Sequence, residues 1–300
     1  MAMEQDEQPT IEKVEIFGDF APEYDLFRPS YPEELWQKLL EEVREPRVAD
    51  LGCGTGIAAV ELARRGARVS GVEPDPGMRE EAREAAARAG VSLEVVEGIG
   101  EVTNLETASR DLVTSAQSFH WFATPTALAE IARILDSNGR FALWWNERNV
   151  VGVPYMDAFE CMIKRYNPSY RREYRVRNWD QVLGRLHLPK AFAPTLEVLE
   201  EALKRYNPFY RDRFSLHDWR PFLRKSNQFR SVELLTFEYS MESDIELFLG
   251  YAFTLPFVRN EIPEARHEEF REELRQVLQE HHGEQPFQVE FTTWLYLCRK

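Results

Sequence analysis

Between residues 47 and 146 the chain alternates short apolar runs with segments of helical periodicity. The apolar runs predict five strands, at 47–51, 67–73, 91–98, 111–116 and 140–146. The intervening segments predict helices over 57–65, 76–89 and 125–135, two of which are followed directly by a glycine. In the first of these helices the predicted buried side consists of Ile57, Val60, Leu62 and Ala63. Strands that alternate with helices in this way predict βαβ units and a parallel sheet covered on both faces.

The pattern changes beyond residue 150. Residues 153–225 are rich in Tyr, Trp and Arg, and strand patterns return only at 231–240 and 286–298, with helices predicted over 244–253 and 263–280. We therefore expect an α/β fold: a doubly wound, Rossmann-like, seven-stranded, mostly parallel sheet with a helical cap inserted between strands five and six. The predicted organisation is a disordered tail (1–20), a core (21–150), the cap (151–227) and the remainder of the core with the last two strands (228–300).

Composition narrows the class of protein. The chain has 300 residues, 43% of them hydrophobic, and a net charge of −14, from 37 Lys and Arg against 51 Asp and Glu. This balance argues against general binding to nucleic acid or anionic membranes, since phosphate contacts require surplus cations. The three cysteines, Cys53, Cys161 and Cys298, are too far apart to suggest a metal or redox pair. Without a signal peptide or a bilayer-spanning apolar run, the expected location is the cytoplasm.

A glycine-rich loop follows the first predicted strand. Residues 48–56 read VADLGCGTG, so that Asp50 ends the strand and Gly52, Gly54 and Gly56 follow. A phosphate-binding P-loop would require a Lys that is absent here, and the dinucleotide fingerprint Gly-x-Gly-x-x-Gly is one residue longer. A carboxylate at Asp50 would repel a pyrophosphate but attract the ammonium group of a ligand.

A second carboxylate ends the second predicted strand. Glu73 lies 21 positions after Gly52, where an acidic side chain accepts hydrogen bonds from ribose hydroxyls in nucleotide-binding folds. Together the two carboxylates predict a ligand that has both a ribose and a cationic amino-acid end. S-adenosylmethionine fits this description.

Five segments in order carry a resemblance to a known family. The sequence resembles the class I S-adenosylmethionine-dependent methyltransferases over about residues 20–146. YDLFRPSYP and DLVTSAQSFHWF also resemble a small-molecule subgroup that includes the trans-aconitate-type methyltransferases. The resemblance implies S-adenosyl-L-methionine as cofactor and a small-molecule acceptor. The segments are YDLFRPSYP (24–32), VADLGCGTG (48–56), GVEPD (71–75), EGIGE (97–101) and DLVTSAQSFHWF (111–122).

The resemblance also implies roles for individual residues. Asp50 is expected to face the cofactor's amino group, and Glu73 to bind the ribose. Met78 and Ile99 would sandwich the adenine or belong to the ordinary core, while Glu101 would lie near the adenine edge or on the surface. No metal ligand is predicted. The predicted cofactor-binding residues are Tyr24, Arg28, Asp50, Gly52, Cys53, Gly54, Gly56, Glu73, Pro74, Met78, Gly98, Ile99, Glu101, Ser115, Ala116 and Phe119.

Three further residues raise questions about the chemistry. Tyr24 could attract a sulfonium through its ring and Arg28 could bind a carboxylate, or Tyr24 could pack an N-terminal helix on the sheet. His120 follows the fourth strand and is either a general base or a structural histidine. A base is dispensable if the acceptor is an ionised carboxylate, because positioning alone contributes about 7–11 kcal/mol.

The region after residue 150 contains an internal repeat. Residues 164–180 and 204–220 are identical at eight of seventeen positions, which predicts a duplicated helix-turn unit. Both copies are basic, which suits an entrance for an anionic substrate or, equally, ion pairs with the acidic body of the protein. The predicted substrate-binding residues are Tyr31, Trp121, Trp145, Tyr170, Arg171, Tyr210 and Arg211.

The predicted function is methyl transfer from S-adenosylmethionine to a small molecule, as O-methylation of a carboxylate or hydroxyl. Two alternatives remain: C- or N-methylation of a hydrophobic small molecule, and cofactor binding without turnover. An RNA acceptor would suit Arg interleaved with aromatic residues, but the sequence shows no added RNA-binding module.

Overall fold

The computed structural model describes residues 27–150, 153–168, 170 and 219–300. The predicted tail, the predicted site residues Tyr24, Arg171, Tyr210 and Arg211, and most of the predicted cap lie outside these residues. The position of the cap between strands five and six therefore stays a prediction.

A seven-stranded sheet organises the chain, with the strand order β3-β2-β1-β4-β5-β7-β6. This order confirms the predicted Rossmann-like α/β fold. The observed strand bounds differ from the predicted ones by a few residues at the ends. The strands are β1 (Arg47–Leu51), β2 (Arg68–Val72), β3 (Leu93–Val96), β4 (Arg110–Ala116), β5 (Leu135–Arg148), β6 (Ser231–Ser243) and β7 (Phe287–Arg299).

The first five strands are parallel. β1 lies between β2 and β4, with Asp50 opposite Gly71 on one side and Thr114 on the other. β7 runs antiparallel to β5, because hydrogen bonds join residue 149 to 290 at one end and 139 to 300 at the other. Since the carboxyl ends of β1, β2 and β4 meet at one edge, the loops that follow these strands come together there.

The fifth strand begins earlier than predicted. It was expected over 140–146, but β5 begins at Leu135 and includes the Ser-Asn-Gly segment 137–139. The register of β4 against β5 shifts between Arg110 and Leu112, so this part of β5 bulges out of the ladder. The Asp136 carboxylate accepts the Asn138 N–H at 2.9 Å within the bulge. The Ser-Asn-Gly segment therefore marks an irregularity within the strand and does not mark where the strand begins.

Helices α1 to α4 belong to the part of the chain that carries the first five strands. Asp75 and Thr124 precede a proline and accept an amide N–H of the first turn of α3 and α4, as helix N-caps do. In α2 the predicted buried side is wrong at Ile57 and Ala63, which are half-buried, because the helix instead turns two alanines inward. The bounds are α1 (Glu33–Leu40), α2 (Ile57–Arg64), α3 (Pro76–Ala89) and α4 (Pro125–Ile134).

The remaining helices follow β5. The predicted helix over 263–280 is replaced by a 3₁₀ turn at Glu264–Arg266 and a helix that begins at His267. Nowhere in the described part of the chain is a helix long and apolar enough to cross a membrane. The bounds are α5 (Pro154–Tyr166), α6 (Trp219–Lys225), α7 (Ile245–Phe253), α8 (Pro256–Arg259) and α9 (His267–His282).

The chain divides into two compact units. The first comprises Met1–Asn146, Arg220–Phe237 and Thr293–Lys300, and the second comprises Glu147–Trp219 and Glu238–Thr292. This division differs from the predicted one, in which all of 228–300 belonged to the core. The reason is that α7 and α9 form a common apolar core with α5, through rings such as Phe159, Phe248 and Phe270.

Candidate cofactor-binding site

The loop after β1 uses left-handed backbone conformations. Gly52, Gly54 and Gly56 have φ values of 65°, 55° and 90°, which side-chain-bearing residues rarely adopt. A Cβ at Gly52 would lie 2.8 Å from the Cβ of Ser118, so a close approach also requires glycine there. At Gly54 no described atom lies within 4 Å of the place where a Cβ would stand. The loop is thus tightly packed at one end and open in its middle.

Asp50 is a buried carboxylate at the start of this loop. Only 1% of the residue is exposed, and one carboxylate oxygen accepts the Thr114 hydroxyl at 2.7 Å. The other oxygen, Oδ2, is buried and has no hydrogen-bond donor among the described residues. Burial raises the Asp50 pKa to about 6, against the Thr114 hydrogen bond, and the nearby Glu73 carboxylate raises it further. A cationic group of a ligand would supply the missing partner.

Glu73 ties the glycine loop to the end of β2. Its two carboxylate oxygens accept the Gly54 N–H at 2.9 Å and the Asp75 N–H at 3.1 Å. Burial raises the pKa of Glu73, while these two hydrogen bonds lower it. Each carboxylate oxygen can accept a second hydrogen bond. Glu73 therefore holds the loop in place and keeps acceptor capacity for ligand hydroxyls.

The segment after β4 packs against the loop after β1. Ser118 donates its hydroxyl to the Leu51 carbonyl at 2.8 Å and lies 2.7 Å from the Ser115 hydroxyl. Ser118 begins a short 3₁₀ turn, Phe119–Trp121, in which Phe119 is fully buried. The predicted residues Ser115 and Phe119 are therefore brought close to the glycine loop.

The segment after β3 reaches the same 3₁₀ turn. A Cβ at Gly100 would lie 2.2 Å from the Phe122 ring, so only glycine fits against it. Glu101 accepts the hydroxyl of Thr124, the N-cap of α4, at 3.0 Å. The predicted residues Ile99 and Glu101 thus belong to a segment that packs on the end of the β4 loop. Met78, predicted to contact adenine, is buried in the first turn of α3.

Three aromatic rings lie close together at the 3₁₀ turn, two from the turn itself and one from β5. The His120 ring lies 5.0 Å from the Trp121 ring and 6.4 Å from the Trp145 ring, measured between centroids. Trp121 is 57% exposed, whereas Trp145 is buried. Part of the His120 side chain is exposed to solvent. The surrounding protein still removes water from the ring, and this desolvation lowers the pKa of His120 to about 4. His120 is therefore neutral at neutral pH.

The other predicted substrate residues lie elsewhere. Tyr31 packs edge-on against Trp36 and Trp144, each with ring centroids 5.6 Å away. Tyr170 belongs to the second unit, where its hydroxyl donates to Glu160 at 2.8 Å. Both side chains already have structural contacts, and their predicted role in substrate binding stays a prediction. The same holds for Arg28, which is half-buried.

Several residues of this edge were not predicted from the sequence. They are the residues that hold the predicted ones: Thr114 beneath Asp50, Ser118 beneath the glycine loop, and Arg79, whose guanidinium donates to the Glu73 carbonyl at 2.9 Å. None of these three residues has a recognisable sequence signal. Two other residues of this edge, the helix N-caps Asp75 and Thr124, do have one, because each stands directly before a proline.

Sequence comparison places this edge in a known context. Residues 49–143 match the family model described as a methyltransferase domain. An uncharacterised methyltransferase of Mycobacterium tuberculosis is 38% identical over 133 residues, which cover 44% of this chain and 53% of that protein. A candidate S-adenosylmethionine-dependent methyltransferase of Saccharomyces cerevisiae is 26% identical over 156 residues, or 50% of this chain and 52% of that protein. The chain thus spans about half the length of these curated relatives.

Comparison with solved structures supports the fold over a longer stretch. A candidate type II methyltransferase from Anaeromyxobacter dehalogenans superposes with a TM-score of 0.60 at 21% identity. The match covers 91% of this chain and 98% of the other. At this identity the likeness shows a common fold and no more.

Proposed function

We propose that this chain is an S-adenosylmethionine-dependent methyltransferase that acts on a small molecule. The match of residues 49–143 to a methyltransferase domain supports the class of reaction. The observation that carries the choice of cofactor is the unpartnered, buried Oδ2 atom of Asp50 beside an open glycine loop. A buried carboxylate oxygen without a donor is costly, and a ligand ammonium group would offset that cost.

The residues present fit this cofactor. Asp50 would pair with its amino group, Glu73 would accept hydrogen bonds from its ribose, and the backbone of the glycine loop would approach it closely. Pro74, Met78, Ile99 and Glu101 would surround the adenine. The remaining predicted contacts are Tyr24, Arg28, Gly98, Ser115, Ala116 and Phe119, together with Cys53 within the loop. When bound, S-adenosylmethionine supplies a methyl group already activated for transfer to a nucleophile.

For the acceptor we propose a carboxylate, and hence O-methylation. His120, the predicted catalytic residue, is neutral and has a pKa of about 4, so it is a weak base toward a hydroxyl group. It can still orient an acceptor through one ring nitrogen. An acceptor that is ionised at neutral pH needs no proton removal, which favours organic acids such as those used by the trans-aconitate-type subgroup. Trp121 and Trp145 would equally suit C- or N-methylation of a hydrophobic molecule.

Calorimetric titration of the full chain tests the cofactor assignment. We expect micromolar binding of S-adenosylmethionine and S-adenosylhomocysteine and no binding of NAD. Asp111→Asn provides a matched control, because Asp111 is a carboxylate at the start of neighbouring β4, where it pairs with Arg47 at 2.6 Å. Binding should survive in Asp111→Asn and weaken at least tenfold in Asp50→Asn. Absence of binding by both sulfur compounds would refute the proposal.

Turnover is tested separately. A panel of organic acids, phenols and amines is incubated with labelled S-adenosylmethionine, and S-adenosylhomocysteine is measured. Formation of a methyl ester from an acid supports the proposed acceptor class. A product methylated at carbon or nitrogen would select the alternative, and binding without turnover on any acceptor would leave a cofactor-binding protein.

A further inference from the structure

A buried charged cluster anchors the end of α5 in the second unit. Arg148 donates to one oxygen of Glu160 at 3.0 Å, and Tyr170 donates its hydroxyl to the other at 2.8 Å. The Arg148 guanidinium also lies over the rings of Phe159 and Phe257, 5.4 and 5.8 Å from their centroids. Both oxygens of Glu160 therefore have partners, and the pair fixes residue 170 relative to α5.

Asn167 makes a second anchor immediately after α5. The residue is 1% exposed, and its side-chain amide donates to the Phe257 carbonyl at 3.0 Å and to Glu261 at 2.8 Å. Its carbonyl oxygen accepts the Tyr170 N–H at 3.1 Å. The segment Asn-Pro-x-Tyr thus carries two polar anchors within four residues, the buried Asn167 and the half-buried Tyr170.

The inward face of α5 supplies the apolar part of the contact. Met156, Phe159, Met162 and Ile163 are fully buried. Tyr166 packs edge-on against Phe270 and donates its hydroxyl to Glu273 at 2.8 Å. The surface that receives α5, Asn167 and Tyr170 is here termed the docking surface. It consists of Arg148, Phe248, Phe257, Glu261, Phe270 and Glu273.

The chain carries the docked segment twice. Residues 154–170 read PYMDAFECMIKRYNPSY, and residues 194–210 read PTLEVLEEALKRYNPFY, with eight of seventeen positions identical. The identities include the anchors, since Glu200, Tyr206, Asn207 and Tyr210 stand where Glu160, Tyr166, Asn167 and Tyr170 stand in the first copy.

The apolar face is repeated as well. The fully buried positions 156, 159, 162 and 163 correspond to Leu196, Leu199, Ala202 and Leu203, all apolar, whereas exposed Cys161 corresponds to Glu201. A duplicated segment that did not have to fit this surface would not need to keep both the anchors and the apolar residues.

We propose that residues 194–210 are an alternative occupant of the docking surface within the same chain. The two copies differ at two contacts that favour the first. Tyr155 packs edge-on against Phe248 and Phe287, and Phe159 packs edge-on against Phe248, while the second copy has Thr195 and Leu199 at these positions. The second copy is therefore the minor occupant.

Site-directed crosslinking tests the exchange with the full chain. In a Cys161→Ser background, Glu273→Cys is combined with Arg165→Cys as positive control, because Arg165 pairs with Glu273 in the first copy. The test pair combines Glu273→Cys with Arg205→Cys, the matching residue of the second copy. Arg185→Cys with Glu273→Cys is the negative control. A short bis-maleimide reagent traps either arrangement over time.

The expected result is crosslinking within one chain by the Arg205→Cys pair, slower than by the Arg165→Cys pair but at least fivefold faster than by the Arg185→Cys pair. Adding Asn167→Ala should raise the rate of the Arg205→Cys pair at least threefold, whereas adding Asn207→Ala should abolish it. A rate no higher than that of the Arg185→Cys control, or crosslinks only between two chains, would overturn the proposal. The readout is independent of methyl transfer, so it stands or falls separately from the proposed function.

Discussion

Two buried carboxylates, one in each unit, differ in what surrounds them. Asp50 accepts one hydrogen bond, from Thr114, and its second oxygen has no donor among the described residues. Glu160 receives Arg148 on one oxygen and Tyr170 on the other. Burial is nearly complete at both, with exposures of 1% and 4%. The two carboxylates therefore differ in their hydrogen-bond partners and not in how deeply they are buried.

This difference distinguishes a candidate ligand-binding carboxylate, Asp50, from a structural carboxylate, Glu160. An internally paired carboxylate contributes to architecture, because removing it leaves its partners uncompensated. An incompletely paired one costs stability in the free protein and regains it when a ligand arrives. The comparison therefore predicts opposite outcomes for stability and for binding at the two sites.

The largest effect is expected at Glu160. Glu160→Ala leaves the Arg148 cation buried without a counter-charge, and the free energy of unfolding should fall by about 3–5 kcal/mol. Urea denaturation at neutral pH measures this change. Adding Arg148→Met should recover most of the loss, because two apolar residues can replace a buried ion pair. If Glu160→Ala alone were as stable as the parent chain, the assignment of Glu160 to architecture would be wrong.

A steric change in the first unit is expected to cost less. Gly100→Ala places a Cβ against the Phe122 ring, so the 3₁₀ turn must shift, at a cost of about 1–3 kcal/mol. Thermal or urea unfolding checks this value. Gly66→Ala serves as control, because no described atom lies within 4 Å of its Cβ position and only its left-handed backbone resists the change. A smaller loss in Gly100→Ala/Phe122→Leu would identify the ring as the cause.

At Asp50 the expected effect is on binding. Asp50→Asn keeps the shape and an acceptor for Thr114 but removes the charge. Affinity for S-adenosylmethionine should fall at least tenfold, which is about 1.4 kcal/mol. The free energy of unfolding of the free protein at pH 7 should not fall, because the substitution removes a charge that burial disfavours. Calorimetry and urea denaturation on the same preparation separate the two quantities. If Asp50→Asn lowered the free energy of unfolding and left the affinity for S-adenosylmethionine unchanged, Asp50 would be a structural residue and not a ligand-binding one.

The smallest effect concerns pH. Because the Asp50 pKa is about 6 in the folded chain, lowering the pH from 7 to 5 protonates it and should weaken S-adenosylmethionine binding by about tenfold. Stability of the free protein should change in the opposite sense. A raised carboxyl pKa stabilises the fold below the unfolded value near 4, and this contribution is lost as the pH rises through 6. Both trends should be absent in Asp50→Asn, and a pH-independent affinity in the parent chain would contradict the assignment.

Much of the fold could be predicted because local patterns determine it. The five parallel strands follow from apolar runs separated by helical segments, and the glycine loop from three glycines that need left-handed backbone. The helices α7 and α9 were located by their own periodicity, but their packing against α5 depends on contacts between residues about a hundred positions apart. No local pattern records such contacts.

The candidate site divides in the same way. Asp50 and Glu73 stand out in the sequence as acids at strand ends, a position with a chemical meaning. Ser118 and Thr114 do not, because a hydroxyl within an apolar strand or turn has no characteristic spacing. The hydrogen bond that the Gly54 N–H donates to Glu73 could not be predicted either, since it joins two segments through a loop conformation.

The strand order has a consequence for synthesis of the protein. Among the strands of the described residues, β6 pairs with β7 alone, and β7 follows it by about forty residues. At a translation rate of roughly 5–20 residues per second, β6 leaves the ribosome about 2–9 s before its partner exists. During that interval its backbone donors and acceptors form an open edge on the nascent chain, where another unfinished chain on the same polysome could pair.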